Sequence, residues 1–186
     1  MNNNSKIIIT GGPGYGKSTI IKALERKGYA VQHEFGREVI QHALETGGDK
    51  TPWQDVIGFS KEVLAGRVKQ FQSCDAATNF LDRGIPDIIA FLHKDKIAID
   101  KVFEEASQNY RYFPTVFITP PWKEIFVNDA ERKEQYDLSQ EIHEYITSTY
   151  SNLGYTLIEI PKTNVANRMQ YVIEHLQKTS TTILLP

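Results

Sequence analysis

Cysteine is nearly absent from this 186-residue sequence. Cys74 stands alone, so no intrachain disulfide can form, and the usage fits a reducing compartment. An excess of one charge is missing too. Lys and Arg number 21 against 23 Asp and Glu, a formal charge of −2, which gives no basis for nonspecific binding to nucleic acid or to an anionic membrane. No uninterrupted apolar run approaches membrane-spanning length. The opening Met1-Asn2-Asn3-Asn4-Ser5-Lys6 lacks the charged-then-apolar order of a signal peptide. The expectation is a soluble cytoplasmic protein. Internal repeats and low-complexity segments are lacking, and His33, His42, His93, His143 and His175 show no metal-ligand spacing. An Asn/Thr-Lys-x-Asp guanine signature is also missing, which argues against an ordinary GTPase.

What is present is one glycine-rich stretch, Gly11-Gly12-Pro13-Gly14-Tyr15-Gly16-Lys17-Ser18. It follows the apolar run Ile7-Ile8-Ile9 and precedes Thr19-Ile20-Ile21-Lys22-Ala23-Leu24, which has helical character. Strand, glycine-rich loop and helix in that order are the context that makes G-x-x-x-x-G-K-[ST] a P-loop. A chance match at the four specified positions is expected in roughly one per cent or fewer of chains this long. Glycines let backbone amides converge on phosphate oxygens, and the helix N-terminus adds partial positive charge. Residues Gly12, Pro13, Gly14, Tyr15, Gly16, Lys17, Ser18 and Thr19 therefore form the expected nucleotide cradle. Lys17 is expected to reach the β- and γ-phosphates, and the Ser18 hydroxyl to ligate Mg²⁺.

The rest of the chain alternates strands and helices. Strands are expected at Lys6–Thr10, Tyr29–His33, Thr78–Asp82, Thr115–Ile118 and Tyr155–Ile160. Amphipathic helices fall between them: one beginning after Glu34, a long one from Trp53, one opened by Pro86, and a short one over Asp100–Asn109. A further helix is expected to start at an Asp137 cap and stop at Gly154, and a last one carries Val165 to Leu176. This predicts a single domain over residues 1–186, α/β in class, a three-layer αβα P-loop NTPase fold. About five mainly parallel strands would carry helices on both faces, with ligand sites at their carboxyl ends.

Polar residues at the strand ends become site candidates. Asp82 closes an apolar run as a Walker B acid does, holding Mg²⁺ directly or through water; alternatively it is a turn or helix-cap aspartate. Arg83 offers a planar fork for substrate or phosphate, or a strand-end salt bridge. Glu34 stands ready to accept a hydroxyl proton or bind a sugar hydroxyl, or is simply an acid favoured near a helix start. Arg37, one helical turn on, shares its face and would complete an acceptor pocket. The charged excursion after the fourth strand, Trp122 to Glu134, lies where a lid would cover the P-loop, with Arg132 or Lys133 to neutralise charge on the transferring group. The apolar tail Thr181–Pro186 reads as packing against its own domain, and the oligomeric state stays open.

The P-loop GGPGYGKST together with HEFGRE, FLDRGIPD and ITPPWKEIFVNDAERKE resembles a family of small P-loop ATPases. That family is similar to the nicotinamide-riboside-kinase domain of NadR-type proteins and, more distantly, to nucleoside and nucleoside-monophosphate kinases. The resemblance implies ATP and Mg²⁺ at Gly12 to Thr19, metal or catalytic duty for Asp82, and substrate contact by Arg83. It further implies a lid arginine at Arg132, with Glu34 and Arg37 on the acceptor side. The expected activity is a small-molecule kinase acting on a nucleoside, a nucleotide or a similar hydroxyl-bearing metabolite. The competing class is a nucleotide-dependent switch with slow hydrolysis and a protein or lipid partner. A kinase acting on nucleic-acid ends would need a basic channel that the sequence does not show.

Overall fold

The computed structural model describes residues 5–126 and 135–179. Among these, β1 (Ser5–Thr10), β2 (Ala30–Gln32), β3 (Thr78–Asp82), β4 (Thr115–Ile118) and β5 (Thr156–Glu159) form one parallel sheet in the order β2-β3-β1-β4-β5. Seven α-helices accompany it: α1 (Lys17–Arg26), α2 (Phe35–Thr46), α3 (Val56–Ser73), α4 (Ile85–Lys94), α5 (Lys101–Asn109), α6 (Tyr136–Asn152) and α7 (Val165–Thr179). The expected three-layer α/β arrangement is therefore present.

The alternation of side chains along β1 shows how the layers are made. Ile8 points into one buried cluster with Leu81, Ile88 and Ile146, drawn from β3, α4 and α6. Ile7 and Ile9 point into the other, against Ile20 and Leu24 of α1 and Val172 of α7. A strand buried on both faces needs apolar residues at consecutive positions, which is why β1 carries Ile7-Ile8-Ile9 and β3 the pair Phe80-Leu81. All five residues of β3 are buried.

Because β1 lies between β3 and β4, successive connections leave it toward opposite edges of the sheet, and a crevice opens beyond its carboxyl end. The P-loop fills that crevice. Residue ranges differ from the sequence reading at several helix and strand starts, and three of them have a clear cause. The amide of Tyr29 closes α1 on the Leu24 carbonyl at 3.1 Å, so β2 begins only at Ala30. Residues 51–54 form a turn, and Asp55 caps α3 by accepting from the Gly58 amide at 2.8 Å. Gln135, rather than Asp137, occupies the cap of α6, since its carbonyl already takes the Ser139 amide at 3.0 Å. No described helix is long and apolar enough to cross a membrane.

Candidate active site

The P-loop joins β1 to α1 and leaves its last two residues as the helix start. Gly16 caps α1 with a left-handed φ of 75°. A side chain there would be strained, and its Cβ would stand 2.7 Å from Arg168 Nη1. Gly14, also left-handed at φ 78°, has no room either, because Phe126 lies against it at 2.4 Å from where a Cβ would sit. Lys17 is almost fully buried and donates from Nζ to the Gly12 carbonyl at 2.7 Å, a bond within reach of exchange for a phosphate oxygen. Thr19 Oγ1 donates to the Gly16 carbonyl at 2.7 Å.

Tyr15 plays a packing part that its motif position does not announce. Its ring is fully buried and its hydroxyl meets Ser139 Oγ at 2.6 Å, tying the loop to α6. Burial pushes its phenol up to about 12. Its backbone carbonyl accepts from Arg168 Nη2 at 2.9 Å. The Tyr15 ring also approaches Phe126, Tyr136 and His143 at centroid distances of 6.4, 6.3 and 6.1 Å. His143 is driven down to about 4, first by burial and then by the Lys17 charge.

Asp82 ends β3 directly beside the loop. Its Oδ2 accepts from Ser18 Oγ at 2.8 Å, while its buried Oδ1 has no hydrogen-bond partner among the described residues. Burial, and next the Glu34 charge, push its carboxyl above the ordinary value, with Lys17, Arg83 and the Ser18 bond opposing. A buried carboxylate with an unmet oxygen next to a hydroxyl is a suitable half-site for a hard cation. The described residues contain no cluster of three or more His, Cys, Asp or Glu able to cage a metal by themselves. That suits Mg²⁺, which keeps waters and takes phosphate oxygens for the rest of its octahedron.

Arg83 follows with φ 72°, left-handed for a residue that has a Cβ, at a cost of about 1–3 kcal/mol. Its surroundings over-determine it. The Arg83 amide donates to the Ile9 carbonyl at 3.0 Å, and its carbonyl accepts from Arg67 Nη1 at 3.2 Å. Its side chain donates from Nε to Glu34 Oε1 at 2.8 Å and from Nη1 to Asp87 Oδ1 at 2.9 Å. Burial works against the guanidinium charge, but Glu34, Asp87 and Asp82 outweigh it and hold Arg83 above the usual arginine range. Glu34 caps α2, and its other oxygen lies 3.5 Å from Arg37 Nε. The structure thus brings Lys17, Ser18, Asp82, Arg83, Glu34 and Arg37 together. Arg132 lies outside the described residues, as do Lys133 and the tail 181–186.

Several residues around the site escape a motif reading. Asp87, buried in the first turn of α4, accepts from Thr10 Oγ1, Arg83 Nη1, the Gly84 amide and Tyr150 Oη. Its spacing did carry a signal: an acid three residues after Gly84 is placed to receive that amide, as in an N-terminal capping pattern. Arg67, from α3, braces the end of β3 by donating to the Asp82 carbonyl at 2.6 Å. Arg168, from α7, is buried under the P-loop with its guanidinium 5.5 Å from the Trp122 ring centre. Neither arginine has a local pattern that marks it.

Two cavities flank these residues. The first, about 520 Å³, runs along Gly14 to Thr19 and out to Trp122, Asn164 and Arg168. The second, about 630 Å³, has Glu34, Arg83 and Asp87 at its floor and apolar walls from α2, α3, α4 and α6. Arg37 lines both, so the cavities meet at its side chain.

The family model for the AAA domain matches residues 6–168. The chain belongs to the AAA domain family. No curated protein sequence matches this P-loop NTPase domain. Among solved structures, it is similar to NadR in complex with NR, with TM-score 0.71 and 13% identity over 98% of this chain and 52% of that one. The chain thus spans about half the length of NadR. It is also similar to deoxyadenosine kinase from M. mycoides, solved with dCMP and dCDP bound, at TM-score 0.61 and 17% identity over 93% and 99% of the two chains. Thymidylate kinase from Candida albicans gives TM-score 0.68 and 14% identity over 94% and 92%. The AAA domain described here therefore has the fold of the P-loop small-molecule kinases.

Proposed function

We propose that the protein is a small-molecule kinase that transfers the γ-phosphoryl group of ATP to a hydroxyl of a nucleoside, a nucleotide or a similar metabolite. One observation carries this reading: a second cavity, floored by Glu34 and Arg83, adjoins the P-loop cavity at Arg37. A nucleotide switch needs the first cavity only. A largely apolar cleft with a few convergent polar groups is the usual form of a small-molecule site.

In the proposed reaction the loop amides and Lys17 hold the β- and γ-phosphates, Lys17 exchanging the Gly12 carbonyl for phosphate oxygen. Ser18 and Asp82 would hold Mg²⁺, which neutralises charge on the phosphate oxygens when bound. Trp122 and Asn164, at the far end of the first cavity, are placed for the base and sugar of the donor. The acceptor hydroxyl attacks the γ-phosphorus, the bond to the β,γ-bridging oxygen breaks, and ADP leaves. Glu34 takes the hydroxyl proton. It lines the acceptor cavity and is aimed by Arg83 and Arg37, whereas Asp82 is turned toward Ser18. Arg37, common to both cavities, is placed to meet the transferring group. Arg132 is assigned the lid role on its place in the charged stretch after the fourth strand and on the family resemblance.

A screen of nucleosides and related hydroxyl metabolites with ATP-Mg²⁺ tests the proposal, with Lys17→Ala and Asp82→Asn as controls. A phosphorylated product that disappears in both variants is the expected result. Hydrolysis that no acceptor accelerates, with no phosphorylated product from any compound, contradicts transfer while leaving the P-loop assignment intact.

A further inference from the structure

We infer that Arg168 is a nucleotide-binding residue whose counter-charge is the phosphate chain of the bound nucleotide. The free protein then carries a buried cation that only the ligand neutralises. This rests on the P-loop half of the kinase reading and not on phosphoryl transfer.

Three cations and no carboxylate line the first cavity: Lys17, Arg37 and Arg168. Two of them have an acid at hand. The Lys17 charge acts on the Asp82 carboxyl, and Arg37 stands 3.5 Å from Glu34. Arg168 is paired with no carboxylate among the described residues, and burial holds its guanidinium below the usual arginine range. It is 2% exposed, and hydrogen bonds answer only part of it. Nη2 donates to the Tyr15 carbonyl at 2.9 Å, whereas the buried Nε has no partner among the described residues. The other deeply buried arginines are better met. Arg83 holds Glu34 and Asp87, while Arg67 donates to the carbonyls of Asp82 and Arg83 and to Gln70, and shares its cavity with Glu34 and Asp87.

The surroundings make the missing anion more telling. Arg168 stands in the first turn of α7, where the helix dipole opposes a cation and no acid accompanies it. The first residues of α1 and α7, Lys17 and Val165, both line the cavity, so two positive helix ends meet there. Nη1 lies 2.7 Å from where a Gly16 Cβ would stand, which sets the guanidinium against the turn that delivers the loop amides. Trp122 covers it with a ring centre 5.5 Å away, and an aromatic face steadies a cation without cancelling its charge. A desolvated charge with no counter-charge destabilises the state that contains it. A phosphate chain on the loop amides supplies that counter-charge, so Arg168 destabilises the free protein and strengthens the bound one.

Arg168→Met, uncharged and of comparable reach, tests this through thermal melting of the full chain and titration with ATP-Mg²⁺, inorganic tripolyphosphate and adenosine. Without ligand the variant should melt about 3 °C or more above the parent. It should bind ATP and tripolyphosphate more weakly by like factors, about 10-fold or more, and bind adenosine as the parent does. Excess ATP-Mg²⁺ should then raise its melting temperature less than the parent's. Arg168→Lys, which keeps the charge, should stay within about threefold of the parent for both phosphate ligands. A ligand-free Arg168→Met that melts below the parent overturns the inference and leaves Arg168 a brace for the Tyr15 carbonyl. Unchanged tripolyphosphate binding overturns it as well, and a loss confined to ATP and adenosine would give Arg168 to the base instead. ATP that binds as expected but is never transferred to an acceptor would sink the kinase reading alone.

Discussion

The two cavities are built in opposite ways. The first cavity is anchored on one contiguous stretch, Gly14 to Thr19, whose backbone amides are the phosphate-binding element of a P-loop, with Arg37, Trp122 and residues 163–168 completing its lining. The acceptor side is assembled from side chains at the ends of β2 and β3 and on α2, α3, α4 and α6, spread over more than a hundred residues. Phosphate is one ligand with one geometry, so a short backbone motif can serve any protein that binds it. An acceptor is particular to each enzyme, and its site has to be composed from whatever side chains the packed helices present. On the proposed kinase reading, the donor half is common property of the fold and the acceptor half is where specificity would be set.

That contrast can be broken at either end. The largest effect should come from Lys17→Ala, which removes a charge meant for the transferring phosphoryl group. Turnover should fall on the order of 10²–10³-fold or more, while nucleoside binding in the second cavity stays near its original value. Parallel titration and rate measurements check it. Loss of nucleoside binding as well would mean that the cavities are not separable.

Asp87→Ala attacks the acceptor floor. It strands Arg83 with one carboxylate fewer and leaves Thr10, Tyr150 and the Gly84 amide without their acceptor. Breaking a buried pair of this kind should lower stability by about 3–5 kcal/mol in urea unfolding. A change below about 1 kcal/mol would show that Asp87 is a solvated bystander.

The third effect belongs to the donor side. His143 sits beside Tyr15 and carries a folded-state value of about 4 against an ordinary 6.5. Between those values the unfolded chain takes up a proton that the native imidazole refuses, so the native state loses stability as pH falls. The full contribution is present above about pH 6.5 and fades toward pH 4, on the order of 2 kcal/mol after allowance for partial exposure. Denaturant melts from pH 7 to pH 4.5 should show the decline, and His143→Gln should flatten it. Equal slopes in the two proteins would count against the burial of that ring.

Gly36→Ala, which adds a methyl on the wall of the second cavity, is the smallest. It should raise the acceptor KM about tenfold and leave the KM for ATP unchanged, with helix stability slightly improved. An equal rise in both KM values would place Gly36 on the donor side.

The same contrast explains what the sequence allowed. Strand-loop-helix order around Gly11–Ser18 is a local pattern, and from it the fold, Lys17, Ser18 and the strand-end acid Asp82 are all readable. Glu34, Arg37 and Arg83 were reachable because ligand sites collect at strand ends, and the structure brings all of them into one ion-pair group. Arg67 and Arg168 were not reachable. Their partners are the Asp82 and Tyr15 carbonyls, 15 and 153 residues away, and a hydrogen bond to a distant carbonyl leaves no trace in spacing. Asp87 lies between these cases: its local link to Gly84 is legible, but its bonds to Thr10 and Tyr150 exist only once β1 and α6 have packed. The misplaced start of α6 has the same origin, since Asp137 and Gln135 both suit a helix start and only the backbone bond to Ser139 decides between them.

The most direct test of the central claim is a single-turnover reaction with ATP labelled with ¹⁸O in its γ-phosphoryl group, in the presence of the tightest-binding nucleoside. The account predicts that the label appears as a phosphoester on the nucleoside, one per ADP formed, and that Glu34→Gln slows this step without changing ATP binding. Label found only in inorganic phosphate, released at the same rate with and without nucleoside, would contradict it.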